Sequence, residues 1–150
     1  MSCDIVSYAE RLVHGHWLCV AHQPFDAQNY GFFGWLADVR NYAGMAPIAA
    51  YRGFPVYSSE TVWRGWDEKE GHSTSWVLVS ELLAVDYEQM VEDRRCTVQV
   101  GPNAWNGGAT CEPGQGELQT LREFLGPVYF RDLDRLQRIG AERVVFWFRD

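Results

Sequence analysis

The alternation of apolar and polar residues predicts strands at both ends of the chain. Residues 4–9 and 16–21 are apolar-rich runs separated by His14-Gly15, an arrangement typical of two antiparallel strands joined by a turn. The closing run Val144-Val145-Phe146-Trp147-Phe148 lacks alternation, as expected for a strand that is covered on both faces and central in its sheet. Shorter apolar runs predict further strands at 75–78 and 97–100.

Apolar residues at helical spacing predict three to four helices. The first follows Asp26, which has the side chain of an N-cap, and it is apolar nearly all round from Tyr30 to Val39, so we expect it to be buried. Gly31 and Gly34 share one face of this helix and would let another backbone approach closely. The remaining helical patterns lie at 79–90, 118–125 and 130–139.

Two segments are predicted to be connections. Residues 45–75 are rich in Pro, Gly and Ser, and connections of this length usually serve a function or contain short elements. Residues 101–116 contain Gly107-Gly108 and Pro113-Gly114, which predict a loop. The whole pattern predicts a single compact α+β domain over residues 1–150, in which a mainly antiparallel sheet packs against three to four helices.

Composition narrows the class of protein and of partner. With 47% hydrophobic and 15% aromatic residues, the chain can bury a sizeable core. A formal net charge of -7 argues against duplex nucleic acid, because binding a polyanion needs a cationic surface. The four cysteines have neither zinc-knuckle spacing nor the density of a disulfide scaffold, so reduced thiols are expected. No leader pattern and no apolar run of about 18 residues occurs, which predicts a cytosolic protein without a membrane partner.

The connection at 45–75 concentrates side chains that are suited to binding. Hydroxyl groups and an imidazole between Gly71 and Ser75 suit an anionic or multiply hydrogen-bonding ligand. Aromatic faces can stack a nucleobase and arginine can pair with phosphate, which together match a nucleotide-like ligand. The alternative is a turn that satisfies its own backbone, tryptophans that fill a core, and arginines that pair with Asp38 and Asp67. The predicted ligand-binding residues are Arg40, Arg52, Trp63, Trp66, His72, Ser73, Ser75 and Trp76.

A catalytic alternative uses His72 as the base and Cys3 or Ser73 as the nucleophile. Cys3, Asp4 and His72 together have the residue types of a nucleophile or metal site. However, Cys3 begins an apolar strand, where a free cysteine usually behaves as a small buried hydrophobe. The other histidines lie around a predicted turn, and only a contact created by the fold would bring them to Asp4 or His72. We therefore predict no metal and no cofactor.

Two glutamates stand outside these constellations. Glu10 and Glu81 have no second carboxylate beside them in the sequence, so surface or helix-cap roles are expected for both.

Short motifs along most of the chain carry a family resemblance. The matching text is Met1-Ser2-Cys3-Asp4-Ile5-Val6, Glu10, Tyr30, Phe33, Leu36-Ala37-Asp38-Val39-Arg40, Arg52-Gly53-Phe54-Pro55, His72-Ser73-Thr74-Ser75-Trp76, Glu81-Leu82-Leu83 and the closing run from Val144 to Asp150. On these motifs the chain resembles an uncharacterised protein family of bacteriophages and prophages, whose members typically begin Met-Gly-Cys-Asp-Ile-His. Val6 departs from that histidine, so a mechanism that needs the histidine does not transfer. The resemblance implies a viral or prophage origin and a role in the cytosol of the infected bacterium, and it implies no activity.

Three functional hypotheses follow from the sequence. In the leading one, a phage-type protein binds an anionic, nucleotide-like small molecule through the loop from Arg52 to Trp76 and sequesters a host immune signal as counter-defence. In the second, the protein is a hydrolase or transferase that uses His72 with Cys3 or Ser73, so enzymatic activity is left open. In the third, an acidic, aromatic surface covers a host defence protein. Association with a second copy of the chain is also left open.

Overall fold

The structure, a computed structural model, describes residues 2–66 and 69–150. In chain order its elements are β1 (Asp4–Val13), β2 (His16–His22), α1 (Tyr30–Ala37), α2 (Glu60–Gly65), β3 (His72–Leu78), α3 (Val79–Leu83), β4 (Met90–Asp93), β5 (Arg95–Gly101), β6 (Ala104–Thr110), β7 (Glu117–Thr120), α4 (Leu121–Leu125), α5 (Pro127–Arg138) and β8 (Arg143–Arg149). Strands pair only antiparallel among the described residues, and helices accompany them, which confirms an α+β fold.

The chain divides into two compact units. The first unit consists of Met1–Gln28, Ala49–Val85 and Pro127–Asp150, and the second consists of Asn29–Ile48 and Asp86–Gly126. Among the described residues, the first unit contains the four-stranded sheet with α2, α3 and α5, and the second contains α1, α4 and two two-stranded sheets. That the two units form one domain over residues 1–150 stays a prediction.

The sheet of the first unit has the strand order β2-β1-β8-β3. Its hairpin turns at His14 and Gly15, which have φ values of 49° and 80°, as the sequence predicted. Strand β8 pairs with β1 on one side and with β3 on the other, and its residues from Val144 to Phe148 are all buried. The prediction of a central, doubly covered C-terminal strand is confirmed.

The two faces of this sheet bury different aromatic groups. On the first, which we call the tryptophan face, Val62, Val145 and Trp147 form a core cluster. The partly buried side chains that pack against this cluster are Val6, Tyr8, Phe54, Trp66 and Trp76. On the second, the phenylalanine face, alternation places Phe146 and Phe148 with their partners Ser7 and Ile5. The hydroxyl of Ser7 donates to the carbonyl oxygen of Phe25, whose ring stacks 6.0 Å from Tyr129 of α5.

A buried ion pair ties the connection at 45–75 to the tryptophan face. The guanidinium of Arg143 donates two hydrogen bonds to Glu10 Oε1 at 2.9 and 2.6 Å, and Glu10 has no solvent exposure. Glu10 Oε2 accepts from the backbone N–H of Ser59, which is the N-cap of α2, and Arg143 also donates to the carbonyl oxygen of Tyr57. The surface or cap role expected for Glu10 is therefore wrong, since its strand places it inside the unit.

The second unit begins with the buried helix predicted from Tyr30 onward. Its N-cap is Asn29, whose side chain accepts from the N–H of Phe32, so the assignment of Asp26 as the cap was three residues too early. The helix ends at Ala37, and Asp38 follows it with a left-handed φ of 58°. Residues 31–36 are all buried, as the apolar pattern predicted.

The chain from α3 to α4 departs more from the predicted elements. The helix expected at 79–90 ends at Leu83, and Met90 lies on strand β4. The loop expected at 101–116 contains β6, which pairs with β5, and Leu118 lies on strand β7 rather than on a helix. Within residues 2–66 and 69–150, no helix combines the length and the apolar character needed to cross a membrane.

Candidate functional site

Three side chains that can ligate a metal ion meet at one end of the four-stranded sheet. The thiol sulfur of Cys3, an imidazole nitrogen of His72 and a carboxylate oxygen of Asp150 all lie within 4.8 Å of one another. Cys3 is fully buried, whereas the side chains of His72 and Asp150 are each 41% exposed. The cluster therefore has an inner thiol and an outer rim that solvent reaches.

Strand register explains why Cys3 and Asp150 meet. Asp4 of β1 is paired with Arg149 of β8. The next residues outward are therefore Cys3, just before β1, and Asp150, just after β8. Alternation gives Cys3 the face of Ile5 and gives Asp150 the face of Phe148. Both side chains consequently lie on the phenylalanine face. Gln28 holds the backbone here, because its amide donates to the carbonyl oxygen of Cys3 at 3.2 Å.

A β-bulge brings His72 to the same face. Ser75 is paired with Phe146 and His72 with Phe148, so β3 advances three residues while β8 advances two. Ser73, within this irregularity, has a φ of 54°, in the left-handed region that non-glycine residues rarely adopt. The imidazole of His72 consequently lies beside the Phe148 ring, with 6.1 Å between the centroids.

The two nitrogens of His72 have different surroundings. Nδ1 lies 3.0 Å from Ser73 Oγ. Nε2 is buried and makes no hydrogen bond to the residues that the structure describes, although Asp150 Oδ1 is 3.3 Å away. A charge-assisted hydrogen bond would be about 2.7–2.9 Å long. Two light-atom ligands of a tetrahedral zinc ion, each about 2.0–2.1 Å from the metal, are about 3.3 Å apart, which agrees with the observed separation.

Arg52, predicted to bind a ligand, is already paired within the protein. Its guanidinium donates to both oxygens of Glu81 at 2.7 and 2.6 Å and to the carbonyl oxygen of Trp76 at 3.2 Å, and it lies 4.5 Å from the Trp76 ring centroid. The hydrogen bonds from Arg52 hold the pKa of Glu81 below its ordinary value. Glu81 also accepts from the N–H of Leu78, which is the cap role expected for it.

The predicted tryptophans lie on the other face of the sheet from His72. Trp76 is paired with Val145 and packs with Trp66 on the core cluster of the tryptophan face. Trp66 donates its indole N–H to Thr74 Oγ1 at 3.3 Å. Trp63 is 61% exposed, and its ring lies 6.2 Å from that of Trp66. The structure thus separates the tryptophans from the imidazole.

The remaining predicted residues are distributed as follows. Ser75 is buried, and its hydroxyl oxygen accepts from the backbone N–H of Arg52 at 3.1 Å. Arg40 belongs to the second unit, where its guanidinium lies 5.7 Å from the Tyr30 ring centroid. The structure therefore brings Cys3, His72 and Ser73 together at one place, whereas Arg52, Ser75 and Trp76 contact one another at another.

Asp150 was missed by the sequence reasoning, which grouped Asp4 with Cys3 and His72. Asp4 is exposed and accepts from the Gln28 amide at 3.1 Å. The signal for Asp150 is its place two residues after Phe148, on the same face of an apolar strand. Recognising Asp150 as part of the site from this signal required knowing that β1 and β8 are neighbouring strands.

No protein-family model, curated protein or solved structure matches this chain. The function must therefore be inferred from the geometry of the site.

Proposed function

We propose that this chain is a metal-binding protein whose Cys3, His72 and Asp150 hold one divalent transition-metal ion, with Zn²⁺ as the best fit. The observation that supports this most directly is the convergence of sulfur, nitrogen and oxygen ligand atoms within 4.8 Å, with Nε2 of His72 buried. The proposal departs from the expectation of no metal, which rested on spacing along the sequence.

The donor set favours a borderline metal over a hard one. Thiolate and imidazole suit Zn²⁺, whereas Mg²⁺ and Ca²⁺ take oxygen ligands. An ionised thiol beside an ionised carboxylate would concentrate negative charge, which a divalent cation neutralises. The Ser73 hydroxyl beside Nδ1 matches the outer hydrogen bond that metal-bound histidines usually make.

Three protein ligands would leave the metal one coordination position for another group. Catalytic zinc sites have this composition, with water or substrate in the fourth position, and the metal can polarise that ligand or activate a bound water. His72 and Asp150 are each 41% exposed, so the rim of the site would be open to solvent on their side, while Nε2 and the thiol lie inside. An anionic small molecule would then coordinate the metal directly, without needing the guanidinium of Arg52.

A thiol nucleophile is the second candidate, because the Cys3 sulfur lies within 4.8 Å of an imidazole nitrogen of His72. In a Cys-His-Asp triad the nucleophile and the carboxylate contact different ring nitrogens. Here Nε2 lies beside Asp150 and Nδ1 beside Ser73, so the nitrogen left for a nucleophile contacts the Ser73 hydroxyl and not the Cys3 thiol. A triad predicts that Cys3 is alkylated faster than Cys19 in metal-free protein and that His72→Gln removes this advantage.

The ligand class and the biological setting stay predictions. A nucleotide-like ligand at Arg52 would have to displace Glu81, which already binds both ends of the guanidinium. An inhibitor that covers a host protein would use the exposed Tyr51, Val56, Tyr57 and Trp63. The bacteriophage origin and the cytosolic location rest on the sequence alone.

Metal titration tests the proposed function. Protein stripped with a chelator should bind one Zn²⁺ by calorimetry, and Co²⁺ should give a thiolate-to-cobalt charge-transfer absorption. Cys3→Ser, His72→Gln and Asp150→Asn should each weaken Zn²⁺ binding by more than about 100-fold, since loss of an outer-shell partner alone gives about 10–100-fold.

Matched controls make the same three substitutions at other positions of the chain. Cys19→Ser, His22→Gln and Asp134→Asn alter residues outside the cluster, and each should leave the Zn²⁺ affinity unchanged. Folded wild-type protein that binds neither Zn²⁺ nor Co²⁺ would reject the proposal, as would a Cys3→Ser variant that keeps the charge-transfer band.

A further inference from the structure

The bulge in β3 decides which face of the sheet receives His72. In a regular strand counted back from Ser75, Ser73 would share the face of Phe146 and His72 would lie on the opposite face. That opposite face is the tryptophan face, on which Trp76 packs with Val145 and Trp147. The bulge reverses the alternation and returns His72 to the face that carries Cys3 and Asp150. The backbone conformation at one residue of an edge strand therefore controls whether the three ligand atoms can meet.

Ser73 is an unexpected residue for this conformation. Its φ of 54° is disfavoured for residues with a Cβ, and glycine would adopt it without strain. The side chain present instead places its hydroxyl 3.0 Å from Nδ1 of His72. If Nδ1–H donates to this hydroxyl, the lone pair of the neutral ring is on Nε2, the nitrogen that lies 3.3 Å from Asp150.

We infer that Ser73 is the positioning residue of the metal site: its left-handed bulge turns His72 toward Cys3 and Asp150, and its hydroxyl selects Nε2 as the ligand atom. This inference rests on the proposed function. It separates two contributions, the backbone conformation and the hydrogen bond, which different substitutions remove.

Ser73→Thr tests the backbone contribution. A β-branched residue keeps the hydroxyl but disfavours a positive φ, so β3 should pair regularly with β8, His72 should move to the tryptophan face, and Zn²⁺ affinity should fall by about 10-fold or more. The matched control is Ser58→Thr, the same change in the same connection at a serine whose φ is not positive. This control should bind Zn²⁺ as the wild type does.

Substitutions at Ser73 test the hydrogen bond. Ser73→Gly keeps the left-handed conformation and removes the hydroxyl, so Zn²⁺ affinity should fall by about 10–100-fold. Ser73→Asn tolerates the same φ and offers a side-chain oxygen to Nδ1, so it should restore most of the loss. The ¹⁵N shifts of the His72 ring should report Nδ1 protonated in the wild type and in Ser73→Asn, with a mixture of tautomers in metal-free Ser73→Gly.

The outcomes distinguish the two proposals. Wild-type protein that binds no Zn²⁺ overturns the proposed function. Wild-type protein that binds Zn²⁺, together with a folded Ser73→Thr variant that binds it equally well, overturns the role of the bulge. Should Ser73→Thr fail to fold, equal Zn²⁺ affinities and equal His72 tautomers in wild type and Ser73→Gly would overturn the positioning role.

Discussion

At the scale of single residues, the contacts of charged side chains decide which of them remain available to a ligand. Arg52 donates to both oxygens of Glu81, and Arg143 donates to the fully buried Glu10. The sequence-based alternative is that Arg52 pairs with Asp38 or Asp67. Arg52 does pair with a carboxylate, but this carboxylate belongs to Glu81. Asp38 instead accepts from Asn41, and Asp67 lies outside the described residues. His72 and Asp150 are the exception, because Nε2 and Oδ1 are 3.3 Å apart and Nε2 makes no hydrogen bond to the described residues. Nε2 therefore remains available to a ligand.

Asp132 on α5 gives a prediction about pH and stability. It is buried, and this burial raises its pKa above the ordinary value of 3.8, only partly opposed by the adjacent Arg131. Because its pKa is higher in the folded state, protonated Asp132 stabilises the folded state fully below about pH 3.8. This stabilisation is lost as the pH rises through the raised pKa. Asp132→Asn removes the buried charge, so at neutral pH it should raise the free energy of unfolding by about 0.5 kcal/mol or more.

Urea unfolding at several pH values measures this effect. The advantage of Asp132→Asn over wild type should shrink as pH falls, because the wild-type carboxyl becomes neutral. Asp134→Asn is the control, since Asp134 is 62% exposed and pairs with Arg138 one turn along the same helix. It should give no gain at neutral pH. A lower stability of Asp132→Asn at neutral pH would show that the contact with Arg131 outweighs desolvation.

At the scale of elements, strands with strong apolar patterns were predictable from sequence and the irregular contacts were not. The run from Val144 to Phe148 identifies a central strand because both of its faces are apolar. Helical spacing from Val79 to Met90 predicts one helix, yet Asp86 accepts from the N–H of Glu88 in a local turn and the chain enters β4 at Met90. The bulge at Ser73 leaves no such pattern, because its register depends on β8, a strand far along the chain. The candidate site was consequently found only in part.

Gly34 of α1 offers a test of packing against helix propensity. Propensity alone predicts that Gly34→Ala stabilises the helix by about 1 kcal/mol. A Cβ at Gly34 would lie 2.5 Å from Asn41 Oδ1 and 3.0 Å from the Asn41 Cα, and backbone cannot move away as a side chain can. We therefore expect Gly34→Ala to destabilise the protein by about 1–3 kcal/mol.

The matched comparison for this prediction is Gly31→Ala in the same helix. Its nearest neighbour would be the tip of the Phe124 ring at 3.0 Å, which can shift, so the loss of stability should be smaller than at Gly34. Chemical denaturation of both variants measures the difference. Stabilisation by Gly34→Ala would mean that the segment around Asn41 yields easily, contrary to the close approach predicted for this helix face.

At the scale of the whole molecule, the path of the chain bears on how many cooperative units it forms. The chain passes between the two units after residues 28, 48, 85 and 126. Neither unit is a continuous segment, so folding either unit closes loops that consist of segments of the other. This interleaving favours the sequence-based prediction of one domain over residues 1–150, in which both units unfold in a single transition.

Metal binding provides a way to test that cooperativity, because all three proposed ligands belong to the first unit. Zn²⁺ at 100 times its dissociation constant should stabilise the folded state by about 2.7 kcal/mol. If the chain unfolds as one domain, the slowest-exchanging amides of β4 and β7 in the second unit should gain the same protection as those of β8, measured by hydrogen exchange. His72→Gln at the same Zn²⁺ concentration should show no gain in either place. If only β8 and its neighbouring strands gain protection in the wild type, the two units unfold independently. A bound metal stabilises only the cooperative unit that contains its ligands.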